Sequence, residues 1–172
     1  GTCPKCGYER ARGDQCEACA SLLDPAQLKD PRCAICGKSN LETQKSEQLF
    51  LKLPKAADRV AEWVESKDGH WSRSAMGIAR KWIAEGLRER CITRDLEWGI
   101  PVPLEGFEDK VFYVWFDAPI GYIGISMEWA EQQGDPDVWE TYWKDPDTKL
   151  VQFLGKDNVP FHAVIFPAMI MG

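Results

Sequence analysis

Six of the seven cysteines fall into Cys-x-x-Cys pairs: Cys3/Cys6, Cys16/Cys19 and Cys33/Cys36, with Cys91 alone. The two-residue spacing lets both sulfurs of one turn reach a single ion. Two such pairs separated by a short loop place four thiolates, from Cys3, Cys6, Cys16 and Cys19, around one tetrahedral Zn²⁺. A complete Cys₄ set leaves no open coordination position, so the site is structural rather than catalytic. Four thiolates and one divalent ion leave a net charge of about −2, which nearby Lys5, Arg10 and Arg12 offset. A redox dithiol is the competing chemistry, but two pairs at short spacing imply shared ligation. Cys33/Cys36 is half of a further knuckle. Cys91 is distant and His70 sits beside a tryptophan, so the missing ligands are expected before Gly1, with a vestigial pair as the alternative.

A second constellation lies near the end of the chain. Two apolar, β-rich runs, 111–116 (VFYVWF) and 150–154 (LVQFL), each stop at flexible polar sequence: Asp117-Ala118-Pro119-Ile120-Gly121-Tyr122 and Gly155-Lys156-Asp157-Asn158. In open α/β sheets, ligands bind outside the carboxyl ends of the strands. Gly155 permits close approach of a ligand, and the Asp157 carboxylate is an acceptor for ribose hydroxyls. Ordinary turns and caps are the bland alternative. The helix expected from Asn158 onward carries Asn158, His162 and Phe166 at i, i+4 and i+8, one stripe. Phe161, Val164 and Ile165 should face the sheet. Trp115 and Tyr122 are placed to meet this stripe as an aromatic pocket, whose ring edges suit a thioether. A satisfied core histidine is the other reading of His162.

The elements that must position these residues divide the 172-residue chain into three regions. Residues 1–47 are loop-rich and bury little apolar surface, so they need a metal staple. Residues 48–110 open with a strand at 48–53 stopped by Pro54. A helix follows at 56–66, with Val60, Trp63 and Val64 on one face. A second helix, 73–90, carries Met76, Ala79, Ile83 and Leu87 at helical period, with Ser72 or Ser74 as N-cap and Arg88 and Arg90 in its last turn. Residues 111–172 read as strand, helices, strand, helix. That order predicts an α/β fold with a parallel sheet covered on both faces, whose remaining strands lie outside the chain.

Composition bounds the partners. The chain is 44% hydrophobic with eight tryptophans, which excludes a disordered segment. Residues 1–47 carry seven basic and seven acidic groups, 48–100 ten and eight, and 101–172 four and twelve. The net charge of −6 argues against a free-standing nucleic-acid-binding domain held by electrostatics alone. No apolar run of about 18 residues and no secretory leader is visible, so no membrane partner is expected and the compartment is expected to be cytoplasmic.

The strings GTCPKCGYERARGDQCEAC, ERCITRDLEWGIPVP, VFYVWFDAPIGYIG and FLGKDNVPFHAVIFPA resemble the methionyl-tRNA synthetase family in its archaeal and eukaryotic-like form, collinearly over the whole chain. The resemblance implies part of a class I synthetase: a zinc-knuckle connective peptide over residues 1–110, then the start of the second half of a Rossmann-type catalytic fold. It implies that Trp115, Ala118, Pro119, Tyr122, Asn158 and His162 line a methionine pocket, with Tyr122 and His162 near the thioether. Gly155 and Asp157 would contact the ATP ribose, and Arg94 the substrate carboxylate. Cys3, Cys6, Cys16 and Cys19 would hold one structural zinc, and Cys33 and Cys36 would match half of a second site that some members carry. Methionine, ATP with Mg²⁺ and tRNA(Met) are the implied substrates and partners. Asn158 and Phe166 depart from the aliphatic residue and tryptophan usual in bacterial members. The HIGH and KMSKS signatures, absent here, are expected before Gly1 and after Gly172, so the 172 residues alone are expected to be inactive. A non-catalytic, zinc-stapled tRNA- or protein-binding module is the competing reading.

Overall fold

Helix α1, Ala57–Glu65, forms where apolar residues recur one turn apart, and Val60 and Val64 are fully buried. Helix α2, Arg73–Ala84, starts at Ser72, whose hydroxyl accepts the Ala75 N–H at 3.2 Å. It buries Met76, Ala79 and Trp82 against α1. Arg80 grips Glu65 across the pair with two bonds, 2.8 and 2.6 Å. The expected extension to residue 90 does not occur. Gly86, at φ +82°, takes the left-handed position just past the cap, and its N–H closes on the Ile83 carbonyl at 3.0 Å. Arg88 and Arg90 therefore lie beyond the helix, and Arg90 joins a strand instead.

The protein is described here by a computed structural model covering residues 1–13 and 15–172. Its ladders are short. Strand β1, Phe50–Leu51, pairs antiparallel with β2, Arg90–Cys91; β3, Thr93–Arg94, pairs antiparallel with β4, Val111–Phe112. The strand expected over 48–53 is reduced to two residues because Pro54 lies in a 3-10 turn, Leu53–Ala56.

The parallel sheet expected from 111–116 and 150–154 does not form among the described residues. After Phe112 the chain turns into a short helix, α3, Val114–Asp117, then α4, Ile120–Gln132, and α5, Glu140–Trp143. Residues 150–154 join no ladder, and Phe153 is 97% exposed. An apolar β-rich run records a demand for burial, but a strand also needs a neighbour for its N–H and C=O groups. No described segment supplies that neighbour to 150–154. The mixed α/β character stands; the sheet between these two runs is the part corrected.

The helix expected from Asn158 begins as foreseen but widens into a π-helical turn, Phe161–Ile165, before α6, Phe166–Met171. Pro167 explains the widening. It has no N–H to donate to the Ala163 carbonyl, and its ring would press on that carbonyl in a regular helix. The main core joins Leu53, Val60, Val64, Met76, Ala79 and Trp82 to Val159, Phe161, Val164, Ile165 and Ala168. A satellite core of Cys3, Ala11, Cys16 and Leu23 lies under the first cysteine loops. No helix is long and apolar enough to cross a membrane among the described residues.

Candidate functional site

The first two cysteine turns share one backbone pattern. Cys3 N–H bonds to the Tyr8 carbonyl at 2.8 Å and Gly7 N–H to Cys3 at 3.0 Å; Cys16 N–H bonds to Ser21 at 2.9 Å and Ala20 N–H to Cys16 at 2.8 Å. The residue directly after each second cysteine takes the left-handed region, Gly7 at φ +75° and Ala20 at +57°. The turns face each other and bring the sulfurs of Cys3, Cys6, Cys16 and Cys19 within 4.8 Å of one another. Cys6 and Cys16 sulfurs stand 3.6 Å apart. That is too far for a disulfide, and close to the separation of about 3.8 Å set by Zn–S bonds of about 2.3 Å in a tetrahedron. The cluster can therefore hold a tetrahedral metal ion. Burial pushes the Cys16 thiol up to about 12. Burial also opposes ionisation at Cys19, but the Ser21 hydroxyl and N–H, with the neighbouring thiols, bring it down to about 6. One thiolate is thus favoured even before an ion supplies positive charge.

Cys33 and Cys36 lie outside this cluster, yet their turn has the same form. Cys33 N–H bonds to Lys38 at 2.8 Å and Gly37 N–H to Cys33 at 2.9 Å, with Gly37 at φ +71°. The knuckle is built, with Cys36 exposed and Cys33 half-buried.

The second site is a cleft of about 260 Å³ lined by Trp115, Ala118, Pro119, Tyr122, Phe153, Leu154, Asn158, Phe161 and His162. All six residues expected for the amino-acid pocket meet there, brought from two segments of the sequence. Helix α3 and the start of α4 present Trp115, Ala118, Pro119 and Tyr122; the helix from Asn158 presents the rest. Trp115 stacks on Phe161 at 5.5 Å between centroids. His162 Nδ1 donates to the Asn158 carbonyl at 2.9 Å, because a carbonyl can only accept. Nε2 meets the Tyr122 hydroxyl at 3.0 Å, accepting from it in the neutral imidazole. The two bonds fix the imidazole at the polar floor, and the walls are aromatic and aliphatic.

Phe166, expected on the same stripe as Asn158 and His162, is buried and does not line the cleft. The π-turn closes its ring with Phe166 N–H on the Phe161 carbonyl, which rotates the following residues out of α-helical register. Phe153, Leu154 and Phe161 do line it, although sequence reasoning gave the first two to a strand and the third to the sheet side. Their signal was available: apolar residues flank both polar strings.

Gly155 and Asp157 border the cleft without lining it. A Cβ at Gly155 would stand 2.6 Å from the Asp157 carboxylate, so only glycine leaves that side chain its place. The loop is tied to the cysteine turns: Gln15 Nε2 donates to the Asp157 carbonyl at 2.9 Å, and Lys156 Nζ to the Ala18 carbonyl at 2.8 Å. Arg94 is also outside the lining. Its guanidinium lies 3.8 Å over the Tyr113 ring and donates to the Thr93 carbonyl at 2.7 Å.

Comparisons with known proteins converge. The methionine–tRNA ligase of Treponema denticola is 53% identical over the whole chain, which spans 22% of that protein. The cytoplasmic methionine–tRNA ligase of Bos taurus is 52% identical, again over the whole chain and 19% of its own length. The chain thus spans about a fifth of these relatives. Among solved structures, Mycobacterium tuberculosis methionyl-tRNA synthetase bound by methionyl-adenylate matches with a TM-score of 0.60 at 25% identity, covering 74% of this chain and 24% of that one. The family described as tRNA synthetases class I (M) matches residues 1–172, and the chain belongs to that family.

Proposed function

We propose that this chain is the part of a methionine–tRNA ligase that holds the methionine side chain. The protein containing it would activate methionine with ATP and Mg²⁺, giving methionyl-adenylate and pyrophosphate, and then pass the acyl group to the 3′-terminal adenosine of tRNA(Met). The single observation that carries the reading is the cleft. Trp115, Ala118, Pro119, Tyr122, Asn158 and His162 gather around about 260 Å³ of mostly apolar space. Drug-sized ligands occupy about 300–1,000 Å³, so this volume suits one amino-acid side chain. An unbranched thioether suits the aromatic edges of this lining. Gly155 and Asp157, one step from the cleft wall, are read as the ribose contact, and Arg94 as the contact to the substrate carboxylate.

The reaction needs no covalent enzyme intermediate. What this chain's residues contribute is alignment: the side chain fixed in the cleft and the nucleotide ribose on the following loop, so that the carboxylate is presented to the α-phosphorus. Cys3, Cys6, Cys16 and Cys19 are read as ligands of one structural Zn²⁺, with Cys33 and Cys36 as half of a second site. The cytoplasm is the proposed compartment, supported by relatives named as cytoplasmic.

In the complete enzyme, Trp115→Ala or His162→Ala should raise the methionine KM in ATP–pyrophosphate exchange by about tenfold or more, with little change for ATP. Equal losses for both substrates would sink the pocket assignment. Metal analysis of the purified protein should show a zinc ion bound through the Cys₄ set, lost on Cys16→Ser.

A further inference from the structure

We propose that Lys110 is a positioning residue for Arg94, an inference that rests on Arg94 being the substrate-carboxylate contact. The β3–β4 ribbon has two faces because side chains alternate along a strand. Arg94 pairs directly with Val111, and on that face its guanidinium lies on Tyr113, two residues further along. The opposite face carries Thr93, Asp95, Lys110 and Phe112. There Lys110 is only 7% exposed, although lysine is rarely buried without a partner. Its ammonium sits 2.6 Å from the Asp95 carboxylate, 3.3 Å from the Ser46 hydroxyl and 3.6 Å from Asp109. Asp95 is held in turn by Ser46 at 3.0 Å and Gln48 at 2.7 Å. Gln48 accepts from the fully buried Thr93 hydroxyl, and that hydroxyl accepts the Leu49 N–H at 3.0 Å.

Arg94 is therefore flanked on both sides in sequence by residues of one connected network, and the strand opposite it begins next to the ammonium at the network's centre. Each bond locks the ribbon, and none touches the cleft. The arrangement fixes the height and twist of the backbone from which Arg94 projects, and Arg94's own bond to the Thr93 carbonyl, 2.7 Å, makes it sensitive to that backbone. The two partners differ in consequence. Loss of Lys110 leaves the half-exposed Asp95 carboxylate to water, whereas loss of Asp95 leaves a buried ammonium with Ser46 and the more distant, exposed Asp109.

The test is methionine-dependent ATP–pyrophosphate exchange by the complete enzyme. Lys110→Met should raise the methionine KM about tenfold with the ATP KM unchanged, and Lys110→Arg should recover most of it. Asp95→Asn should move the methionine KM in the same direction, which covers the case of a poorly folded Lys110 variant. Combined with Arg94→Ala, Lys110→Met should add nothing further. Additive losses in the double variant, or a Lys110→Met effect spread equally over both substrates, would overturn the positioning role. Arg94→Ala separates the two layers. If it leaves the methionine KM at the parent value, the carboxylate reading of Arg94 fails; if it raises the KM while Lys110→Met does not, the positioning role alone fails.

Discussion

At Tyr122 and His162 the direction of two hydrogen bonds follows from a single carbonyl. Because Asn158 O can only accept, His162 carries a proton on Nδ1, and in the neutral imidazole Nε2 then receives the Tyr122 hydroxyl. The imidazole is fixed in orientation between these two partners. Tyr122→Phe would leave Nε2 without its donor while keeping the aromatic wall. We expect a loss of about 1 kcal/mol, or about fivefold, in methionine affinity and no change in ATP affinity, measured by equilibrium binding to the complete enzyme. An unchanged methionine affinity would show that the bond is not part of the recognition. Gly155→Ala is argued from the same scale: its Cβ would meet the Asp157 carboxylate at 2.6 Å and push it aside. ATP affinity should fall by several-fold and methionine affinity should hold, the reverse of the Tyr122 variant.

Helices α1 and α2 were legible because local pattern and burial agree there. Val60 and Val64, and Met76 and Ala79, carry the period, and Ser72 announces the start. The end of α2 was marked too, by Gly86, but the apolar Leu87 extends the helical period past it, and the period was followed in place of the glycine. Of the run 111–116 only Val111–Phe112 forms a strand, and 150–154 joins none among the described residues, for a different reason: composition reports the wish to be buried, whereas a strand is defined by its neighbours, which no sequence window contains. The gathering of Cys3, Cys6, Cys16 and Cys19 was legible since ligand chemistry dictates spacing. The cleft was legible in its polar and aromatic corners but not at Phe153, Leu154 or the π-turn, which depend on how the chain comes back on itself. Between elements, the Arg80–Glu65 pair gives a pH prediction. The Arg80 guanidinium, bonded twice to Glu65, holds that carboxyl below its ordinary range. A depressed folded pKa contributes stability that is full above the unfolded value of about 4.3 and is lost as pH falls through the folded pKa. Arg80→Met should therefore flatten the fall of the thermal midpoint between about pH 5 and pH 3, a slope measurable by calorimetry. A parallel pair of curves would mean that the bridge is already exchanged for water.

At the scale of the molecule, among the described residues, three side-chain hydrogen bonds tie the cysteine turns to the rest. The buried Trp82 indole donates to the Ala20 carbonyl at 3.1 Å, Gln15 donates to Asp157, and Lys156 donates to Ala18. All three acceptors or donors on the cysteine side come from residues 15–20, the turn of Cys16 and Cys19. Two of the three end on the loop that follows 150–154, which has no ladder of its own to hold it. Order in that loop therefore depends on order in the second cysteine turn. Structural zinc sites supply folding free energy to small segments that cannot bury enough apolar surface, and among the described residues the buried members of the satellite core are Cys3, Ala11, Cys16 and Leu23. Stripping the metal with a chelator should let the turn open and take the Gln15 and Lys156 bonds with it. Hydrogen exchange should then rise at Cys16 and Ala20, and also at Asn158, whose N–H bonds to the Gly155 carbonyl at 3.0 Å. Loss of two hydrogen bonds, worth about 0.5–1.5 kcal/mol each, corresponds to about a tenfold increase or more at Asn158. Amides of α1, which touch no part of the cysteine turns through these bonds, should keep their protection. If Asn158 stays protected while Cys16 and Ala20 open, the loop is held by the helix behind it rather than by the metal-bound turn.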